Sequence, residues 1–383
     1  MKFKAEQKAL AKVLSAAGKF IPSRPTHPVL VNVKLLAFGG TLSIIAYDLS
    51  IGVELDCLSE IFEDGMTTVS AKLFSDVISK AEGDITIELK DSILVITTAK
   101  GVYELATITA SEYPALPEAP DKAFEIDSEL LKNTLKFVLF AASADETKQV
   151  LTGVNFGGIE DWWTLAATDG HRLATSEIGN KPEETEESEE PEETEESEEA
   201  EELELLSLTI PARALKELDK LLSTGPVEVY YTEGQGAVKL PGVYMTFRTL
   251  EGTYPAYIQL IPRSFERTAT LNRKAFLAAL ERISVLSDRK NNIIQASFDA
   301  DKQQLVLSVE AADVGSGQEV ISIQLAGTSV NIGFNAKYIK ESIAALTSET
   351  IQINLNSNTS PLVVNPLGTE KVTHLIMPVQ MRD

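Results

Sequence analysis

Apolar residues recur at helical spacing in three segments that resemble one another along the chain. Each segment covers about three turns of an amphipathic helix. Each leads directly into a stretch where apolar and polar residues alternate, as in a half-buried strand. These helices begin at Ala71, Ala212 and Ala336. A second helix family precedes the first in every repeat, and its members start near Gln7, Ser128 and Asn272.

The spacing of these segments predicts three repeats with one insertion. The repeat alanines are 141 and 124 residues apart. Three strands, each expected to end just before an acidic residue (Asp48, Asp169 or Glu310), are spaced by 121 and 141 residues. Both long intervals contain the glutamate-rich segment 181–204, which we interpret as an insertion of about 20 residues. We predict an α+β fold of three repeated domains, each of two β-α-β-β-β modules with antiparallel strands.

Proline-marked segments indicate the ends of the domains. The first is Tyr113-Pro114-Ala115-Leu116-Pro117, the second begins at Tyr254-Pro255, and the last is Met377-Pro378. The predicted domains are residues 1–122, 123–262 and 263–383.

Composition points to a cytoplasmic protein. No apolar run reaches the roughly 18 residues of a membrane span, and the first residues lack the apolar stretch of a signal peptide. The single cysteine, Cys57, permits no disulfide within the chain and is interpreted as a small buried hydrophobe. We expect no membrane association and no cofactor.

The net charge is −23, but it is unevenly distributed. Residues 183–204 contain 15 glutamates and no basic residue; without them the net charge would be −8. Dense like charge and low hydrophobicity predict a disordered loop, joining the strand near Ile178 to the strand at 206–210. Two interpretations stay open: a neutral insertion, or a segment that repels DNA from the outside of the protein or tunes access for basic partners.

Basic residues recur in register on the predicted helices. The residue after each repeat alanine is basic, as Lys72, Arg213 and Lys337. Other cations lie off the apolar stripes, among them Lys80, Lys136, Lys216, Lys220 and Arg282. An ordinary solvated helix face is the alternative, but a repeated row of cations in an acidic protein favours sequence-independent contact with phosphates.

Helix geometry then favours two chains if the helices line a hole. Six helices at ~10 Å spacing enclose too narrow a circle for duplex DNA about 20 Å wide. Twelve helices leave a clear bore of ~28 Å. A closed ring would also pair sheet edges that an open array leaves exposed.

Several motifs in this order resemble the bacterial DNA polymerase III beta subunits, the replicative sliding clamps. The most specific is the strand-turn-strand segment Ala167-Thr168-Asp169-Gly170-His171-Arg172-Leu173-Ala174. The others are Ser23-Arg24-Pro25-Thr26, Asp145-Glu146-Thr147-Lys148 before Leu151-Thr152-Gly153, Tyr254-Pro255-Ala256-Tyr257 and Leu375-Ile376-Met377-Pro378-Val379. The resemblance covers the whole chain except the acidic insertion.

The resemblance implies a non-catalytic, ring-shaped homodimer that encircles double-stranded DNA. Its implied partners are the DNA polymerase III catalytic subunit, the clamp-loader complex and other peptides with the clamp-binding motif. The implied peptide pocket is Leu151, Thr168, Gly170, His171, Arg172, Leu173, Pro255, Leu260, Leu375, Ile376, Met377 and Pro378. Arg24 joins the cations above as a DNA-facing residue, and the implied dimer interface is Tyr103, Leu105, Val285 and Leu286, for which core packing is the alternative.

The sequence departs from the commoner family pattern at two places. Gln259 stands where some relatives have a basic residue, and the tail continues as Val379-Gln380-Met381-Arg382-Asp383. Both departures bear on which peptides are preferred.

Other functions find less support in the residues. Asp169 and His171 have the spacing of an acid that orients a catalytic imidazole, but no nucleophile motif accompanies them. No metal-binding motif is present, so we expect no metal site. A clamp paralogue that acts as a non-replicative scaffold on DNA stays an alternative.

Overall fold

The computed structural model describes residues 1–159, 162–179, 206–287, 292–311 and 315–380. The predicted acidic insertion, 181–204, lies outside the described residues, so its expected disorder stays a prediction. None of the helices in the described ranges has the length and apolar character that a bilayer crossing requires.

The predicted modules are confirmed, because strand, helix and three strands follow one another six times. The first repeat contains β1 (Lys2–Glu6), α1 (Gln7–Ala17), β2 (Asn32–Phe38), β3 (Thr41–Tyr47), β4 (Ile51–Cys57), β5 (Ser59–Glu63), β6 (Gly65–Ser70), α2 (Ala71–Lys80), β7 (Asp84–Lys90), β8 (Ile93–Thr97) and β9 (Val102–Ile108). The strand β5 is additional to the two modules.

The second repeat has the same order without an additional strand among its described residues. It contains β10 (Lys122–Asp127), α3 (Ser128–Val138), β11 (Gly153–Ile159), β12 (Trp162–Thr168), β13 (Arg172–Ile178), β14 (Leu206–Pro211), α4 (Ala212–Leu221), β15 (Pro226–Thr232), β16 (Gln235–Leu240) and β17 (Val243–Arg248).

The third repeat again has one additional strand, β22. It contains β18 (Arg267–Asn272), α5 (Arg273–Ser284), β19 (Ile293–Asp299), β20 (Gln304–Ala311), β21 (Gly315–Ser322), β22 (Gln324–Ala326), β23 (Val330–Asn335), α6 (Ala336–Ala345), β24 (Thr350–Leu355), β25 (Leu362–Pro366) and β26 (Val372–Ile376).

Polar residues just before the helices fix where several of them start. The Ser70 hydroxyl accepts from the Leu73 amide, and the Asn272 side chain accepts from the Ala275 amide. Such caps satisfy amide groups that a helix cannot pair internally. The repeat alanines Ala71, Ala212 and Ala336 are the first helical residues of α2, α4 and α6, as the sequence predicts.

The expected position of Glu310 is wrong in one respect. Glu310 does not follow a strand but lies inside β20, which continues to Ala311. Strand pairing puts Ser308 opposite Gln295, as Ile45 lies opposite Lys34 in the first repeat. Glu310 therefore corresponds to Tyr47, not to Asp48.

The chain forms two compact units that cut across the repeats. Unit 1 is Met1–Leu131 with Arg213–Thr249, and unit 2 is Lys132–Ala212 with Leu250–Asp383. Among the described residues, unit 1 holds a sheet of 13 strands, and unit 2 holds sheets of 9 and 4 strands. The three domain boundaries drawn from the sequence stay a prediction.

In every repeat the two modules exchange their first strands. Strand β1 pairs with β7 of the next module, and β6 pairs back with β2. The same exchange joins β10 to β15 and β14 to β11, and it joins β18 to β24 and β23 to β19. Each module therefore completes its sheet only with a strand of the other.

Sheets also continue from one repeat into the next. In unit 1, β4 of the first repeat pairs with β17 of the second. In unit 2, β13 of the second repeat pairs with β26 of the third. Both ladders are antiparallel and five residue pairs long.

A tyrosine in the segment that links one repeat to the next forms a hydrogen bond at each of these two junctions. The Tyr47 amide donates to the Tyr113 hydroxyl at 2.9 Å, and the Thr168 amide donates to the Tyr254 hydroxyl at 3.1 Å. Burial raises the pKa of Tyr113 to about 12 and also raises that of Tyr254. Both phenols therefore stay protonated, and each satisfies an amide at the end of a strand.

We expect Tyr113→Phe to lower the free energy of unfolding by about 1–3 kcal/mol, because it leaves the buried Tyr47 amide without its acceptor. Urea denaturation measures the loss. Tyr231→Phe is the control, since the Tyr231 hydroxyl makes no hydrogen bond within the described ranges. Equal stability of the two variants would contradict the role given to Tyr113.

Candidate functional site

The candidate peptide cleft is built around a tight turn in unit 2. Strand β12 ends at Thr168 and β13 begins at Arg172. The Asp169 carboxylate accepts from the His171 amide at 2.9 Å and from the Arg172 amide at 3.1 Å. Gly170 has φ +91°, a left-handed conformation that glycine adopts without a steric penalty.

This turn uses Asp169 for structure. Its second oxygen accepts from the Arg172 Nε at 3.0 Å, so the carboxylate is engaged by two amides and a guanidinium. Asp169 bonds to His171 through the backbone amide of that residue and not through its imidazole ring. The bonds to Asp169 are those of an Asx turn, not of a carboxylate that orients an imidazole.

Arg172 is held by its own chain. Its side chain is 7% exposed, and its guanidinium lies between Asp169 and the Glu341 carboxylate of α6. It also lies 4.7 Å from the centre of the Tyr338 ring and 5.2 Å from that of Phe140. A charge that is paired and stacked in this way holds the neighbouring side chains in position. The expected role of Arg172 as a hydrogen-bond donor to the peptide stays a prediction.

His171 is exposed, and Tyr338 supports its ring. The two rings stack with centroids 6.0 Å apart and planes inclined by 14°. Because Tyr338 lies on α6, helix and turn together present the imidazole at the surface of unit 2.

Behind the turn, His374 is fully buried in β26. Its ring lies 2.9 Å from the Ser342 hydroxyl through Nδ1 and 2.9 Å from the Phe137 carbonyl oxygen through Nε2. The carbonyl can only accept, so Nε2 carries the proton and Nδ1 accepts from Ser342. Burial lowers the pKa of His374 to about 4, so the ring is neutral at pH 7.

The residues predicted for the pocket all lie in unit 2, but they divide into two groups. Those that are buried are Thr168, Arg172, Leu173, Leu375 and Ile376. Leu173 pairs with Leu375, and Arg172 with Ile376, in the ladder between β13 and β26. These residues form the sheet beneath the cleft.

The other predicted residues are accessible at the surface. Leu260 is 56% exposed and Met377 is 41% exposed. Gly170, His171 and Pro255 are exposed as well, while Leu151 and Pro378 are half-buried. The accessible members combine apolar side chains with a polar turn, as sites for extended peptides do.

Sequence reasoning missed several residues here. Ile258 is 69% exposed in the same connecting segment as Leu260. The Lys148 ammonium lies over the turn, 3.3 Å from the Asp169 carbonyl oxygen. Tyr257 packs in one buried cluster with Leu173 and Leu375. Lys148 and Tyr257 both belong to motifs named in the sequence analysis. Membership in those motifs was the signal that could have assigned them to the site.

The comparisons with known proteins agree with this architecture. Family models for the DNA polymerase III beta subunit match in chain order: the N-terminal domain at residues 1–117, the central domain at 125–190 and the C-terminal domain at 258–380. The beta sliding clamp of Synechococcus elongatus is 41% identical, and the alignment covers all of both chains. The chain belongs to the beta sliding clamp family.

Other members of the beta sliding clamp family support the assignment. The beta sliding clamp of Synechocystis is 39% identical over all of both chains. The crystal structure of the DNA polymerase sliding clamp from Bacillus subtilis has a TM-score of 0.88 to this chain, with 27% identity and both chains fully covered.

The nine cations predicted to face DNA in this sliding clamp chain are all exposed. Three have carboxylate partners: Arg213 with Asp48 at 2.8 Å, Lys220 with Glu217 at 2.9 Å and Arg282 with Glu319 at 2.6 Å. Six form no ion pair within the described part of the chain: Arg24, Lys72, Lys80, Lys136, Lys216 and Lys337. Whether they face DNA stays a prediction.

The residues predicted for the dimer interface lie on or beside sheet edges. Val285 is 77% exposed, and Tyr103 on β9 is 46% exposed. Leu286 lies across β21, where a Cβ added to Gly317 would come within 2.6 Å of its Cδ1. A surface leucine packed over a glycine on an edge strand suits an apolar seam.

Metal and thiol chemistry find no supporting geometry. No group of three or more potential ligand residues comes together in the ranges that the structure describes. Cys57 is buried, and burial raises the pKa of its thiol to about 11, which disfavours the reactive thiolate.

His374 should make stability depend on pH. Since its pKa falls from 6.5 in the unfolded chain to about 4, the unfolded chain binds the proton first as the pH drops. Its contribution is complete above pH 6.5 and is lost as the pH falls towards 4. Between pH 7 and 4.5 we expect wild-type protein to lose about 2–3 kcal/mol more than His374→Gln.

Urea unfolding of both proteins at the two pH values measures this difference. Gln keeps a donor for Phe137 and an acceptor for Ser342 without titrating. The same pH dependence in both proteins would show that His374 is not the titrating group.

Proposed function

We propose that the protein is a DNA sliding clamp, a head-to-tail homodimer that closes into a ring around duplex DNA. It tethers the DNA polymerase III catalytic subunit, the clamp-loader complex and other proteins that carry the clamp-binding peptide motif. It contributes no catalytic group of its own. Three domains per chain, 1–122, 123–262 and 263–383, supply six to the ring.

The observation that carries this proposal is the pairing of strands at the junctions between repeats. Val53 pairs with Met245 at the first junction, and Ala174 pairs with His374 at the second. Both ladders are antiparallel and have the same register. The repeats thus follow one rule. The last strand of a domain's first module, β4 or β13, pairs with the last strand of the next domain, β17 or β26.

The same rule leaves two strands for a second copy of the chain. Strand β21 corresponds to β4 and β13, and within the described residues it pairs only with β20. Strand β9 corresponds to β17 and β26, and its residues 102–106 pair only with β8 in that same part of the chain. Unpaired edges of this kind are templates for association.

The internal register also supports a particular set of contacts at the proposed seam. Val53, Ala174 and Gly317 are counterparts, because their cross-strand partners, Ala46, Ala167 and Val309, occupy corresponding positions of β3, β12 and β20. Met245, His374 and Tyr103 are counterparts in the same way. Tyr103 of one protomer therefore faces Gly317 of the other, next to the Leu286 side chain packed over that glycine.

DNA contact follows from the unpaired cations. Lys72, Lys337 and Lys216 are exposed on second-module helices of the three repeats. Such residues bind phosphates without reading the sequence. The ring makes tight contacts unnecessary, because a closed circle of DNA cannot leave it.

We expect Tyr103→Glu to give folded monomers. The change places an unpaired carboxylate in the apolar seam and should raise the dimer dissociation constant at least ~100-fold. Sedimentation over a range of concentrations measures it. Phe62→Glu, which replaces an aromatic residue of similar exposure on the edge strand β5, should stay dimeric. A dimeric Tyr103→Glu variant would exclude the proposed seam.

Topology provides the test of function. After loading by the clamp loader of the same organism, we expect the protein to stay on closed circular DNA in high salt and to leave when the circle is cut. Its binding to linear DNA should be weak and should fall steeply with salt. Equal retention on cut and closed DNA would refute encirclement.

A further inference from the structure

The two junctions inside the chain have the same backbone turn. The Asp48 carboxylate accepts from the Ser50 and Ile51 amides at 2.9 and 2.7 Å, as Asp169 does from the two residues at the same offsets. The residue before each aspartate donates its amide to the linker tyrosine. Unit 1 thus contains a copy of the turn that forms the peptide cleft in unit 2.

The side chains of the two turns differ at the left-handed position. Gly170 holds it in unit 2 with φ +91°, while Leu49 holds it in unit 1 with φ 73°. A leucine in this conformation is strained, because its Cβ lies too close to the following carbonyl oxygen. Leu49 recovers contact by packing against a buried cluster that includes Val29, Leu30 and Tyr113.

A second difference lies just before the aspartate. Tyr47 is buried, and its ring lies over Gly52 beside the Leu116 side chain; an added Cβ would come within 2.8 Å of the ring and closer still to Leu116 Cδ2. In unit 2 the counterparts are Thr168 and Leu173. The Thr168 hydroxyl donates to the Arg172 carbonyl oxygen at 2.6 Å, so this short side chain stays within its own turn.

We propose that Thr168 and Gly170 keep the cleft of unit 2 open, and that Tyr47 and Leu49 close the corresponding cleft of unit 1 with the chain's own side chains. Each chain therefore offers one peptide site and not two. The size of two side chains, and not the shape of the backbone, decides which junction binds partners. This inference rests on the proposed peptide-binding function of unit 2.

The first test fills the open cleft. A fluorescent peptide from the clamp-binding segment of the cognate DNA polymerase III catalytic subunit is titrated against Thr168→Tyr/Gly170→Leu. We expect at least ~100-fold weaker binding, because the new side chains occupy the peptide's volume. Unit 1 shows that this turn accepts leucine, and circular dichroism with sedimentation checks that the variant remains a folded dimer.

Gly234→Leu is the matched control. It introduces the same side chain at a positive φ of +80°, but in the turn between β15 and β16 of unit 1, where an added Cβ would meet no non-neighbouring atom within 4 Å. We expect its affinity for the peptide to stay within about threefold of wild type, because this turn lies outside the proposed peptide site. A folded Thr168→Tyr/Gly170→Leu variant that binds like wild type would overturn the proposal, and so would an equal loss in Gly234→Leu.

The second test opens the closed cleft. In Tyr47→Thr/Leu49→Gly, calorimetry should find a second, weaker peptide site per chain, since Pro117 and Ala119 stand where Ile258 and Leu260 present apolar surface in unit 2. A folded variant that still binds one peptide per chain would overturn the role of Tyr47 and Leu49. If wild-type protein bound no peptide, the proposed function itself would fail, which is a different outcome.

Discussion

Backbone hydrogen bonding at the edges of sheets is the constraint on which this structure depends. A strand with an unpaired edge is unstable towards association, so an extended sheet must close, be covered or find another chain. Here each module gives its first strand to its neighbour, and each repeat pairs its outer strand with the next repeat. By this rule β9 and β21 keep unpaired edges within the described residues, and in the proposed dimer a second copy of the same chain pairs with them.

Charge is arranged in two ways that serve different ends. Buried or half-buried ions are paired within the chain: Arg172 lies between Asp169 and Glu341, where loss of one partner would leave an uncompensated charge. Cations on the exposed helix faces, such as Lys72 and Lys337, have no such partner within the described residues. A protein of net charge −23 can therefore still present basic surface.

Much of the fold could be predicted because it repeats. The helix starts at Ala71 and Ala336 follow from local signals, a capping residue and an amphipathic period, that need no tertiary information. The assignment of Glu310 was off by one position, because alternation continues to the end of β20 and sequence spacing cannot show where the ladder stops. The register becomes clear only from the cross-strand partners.

The candidate site was harder to predict from sequence. Motif positions found the turn at Asp169, but they did not distinguish buried Leu173 from exposed Leu260, since burial depends on which strand covers each residue. The histidine in β26 gave no signal, because its partners, Ser342 and Phe137, come from distant helices. The linker tyrosines were visible as a repeated Tyr-Pro-Ala, although nothing in the sequence reveals that their hydroxyls receive strand amides.

The tyrosine fastenings have a mechanical consequence for a ring built as proposed. At the two junctions inside each chain, the strand ladder, a covalent linker and a buried tyrosine act in parallel, so a pulling force is shared among them. At the seam between protomers the linker and the tyrosine are missing, and the ladder with its apolar contacts carries the whole load. Under tension the ring should therefore open at the seam between protomers, while the junctions inside each chain stay closed.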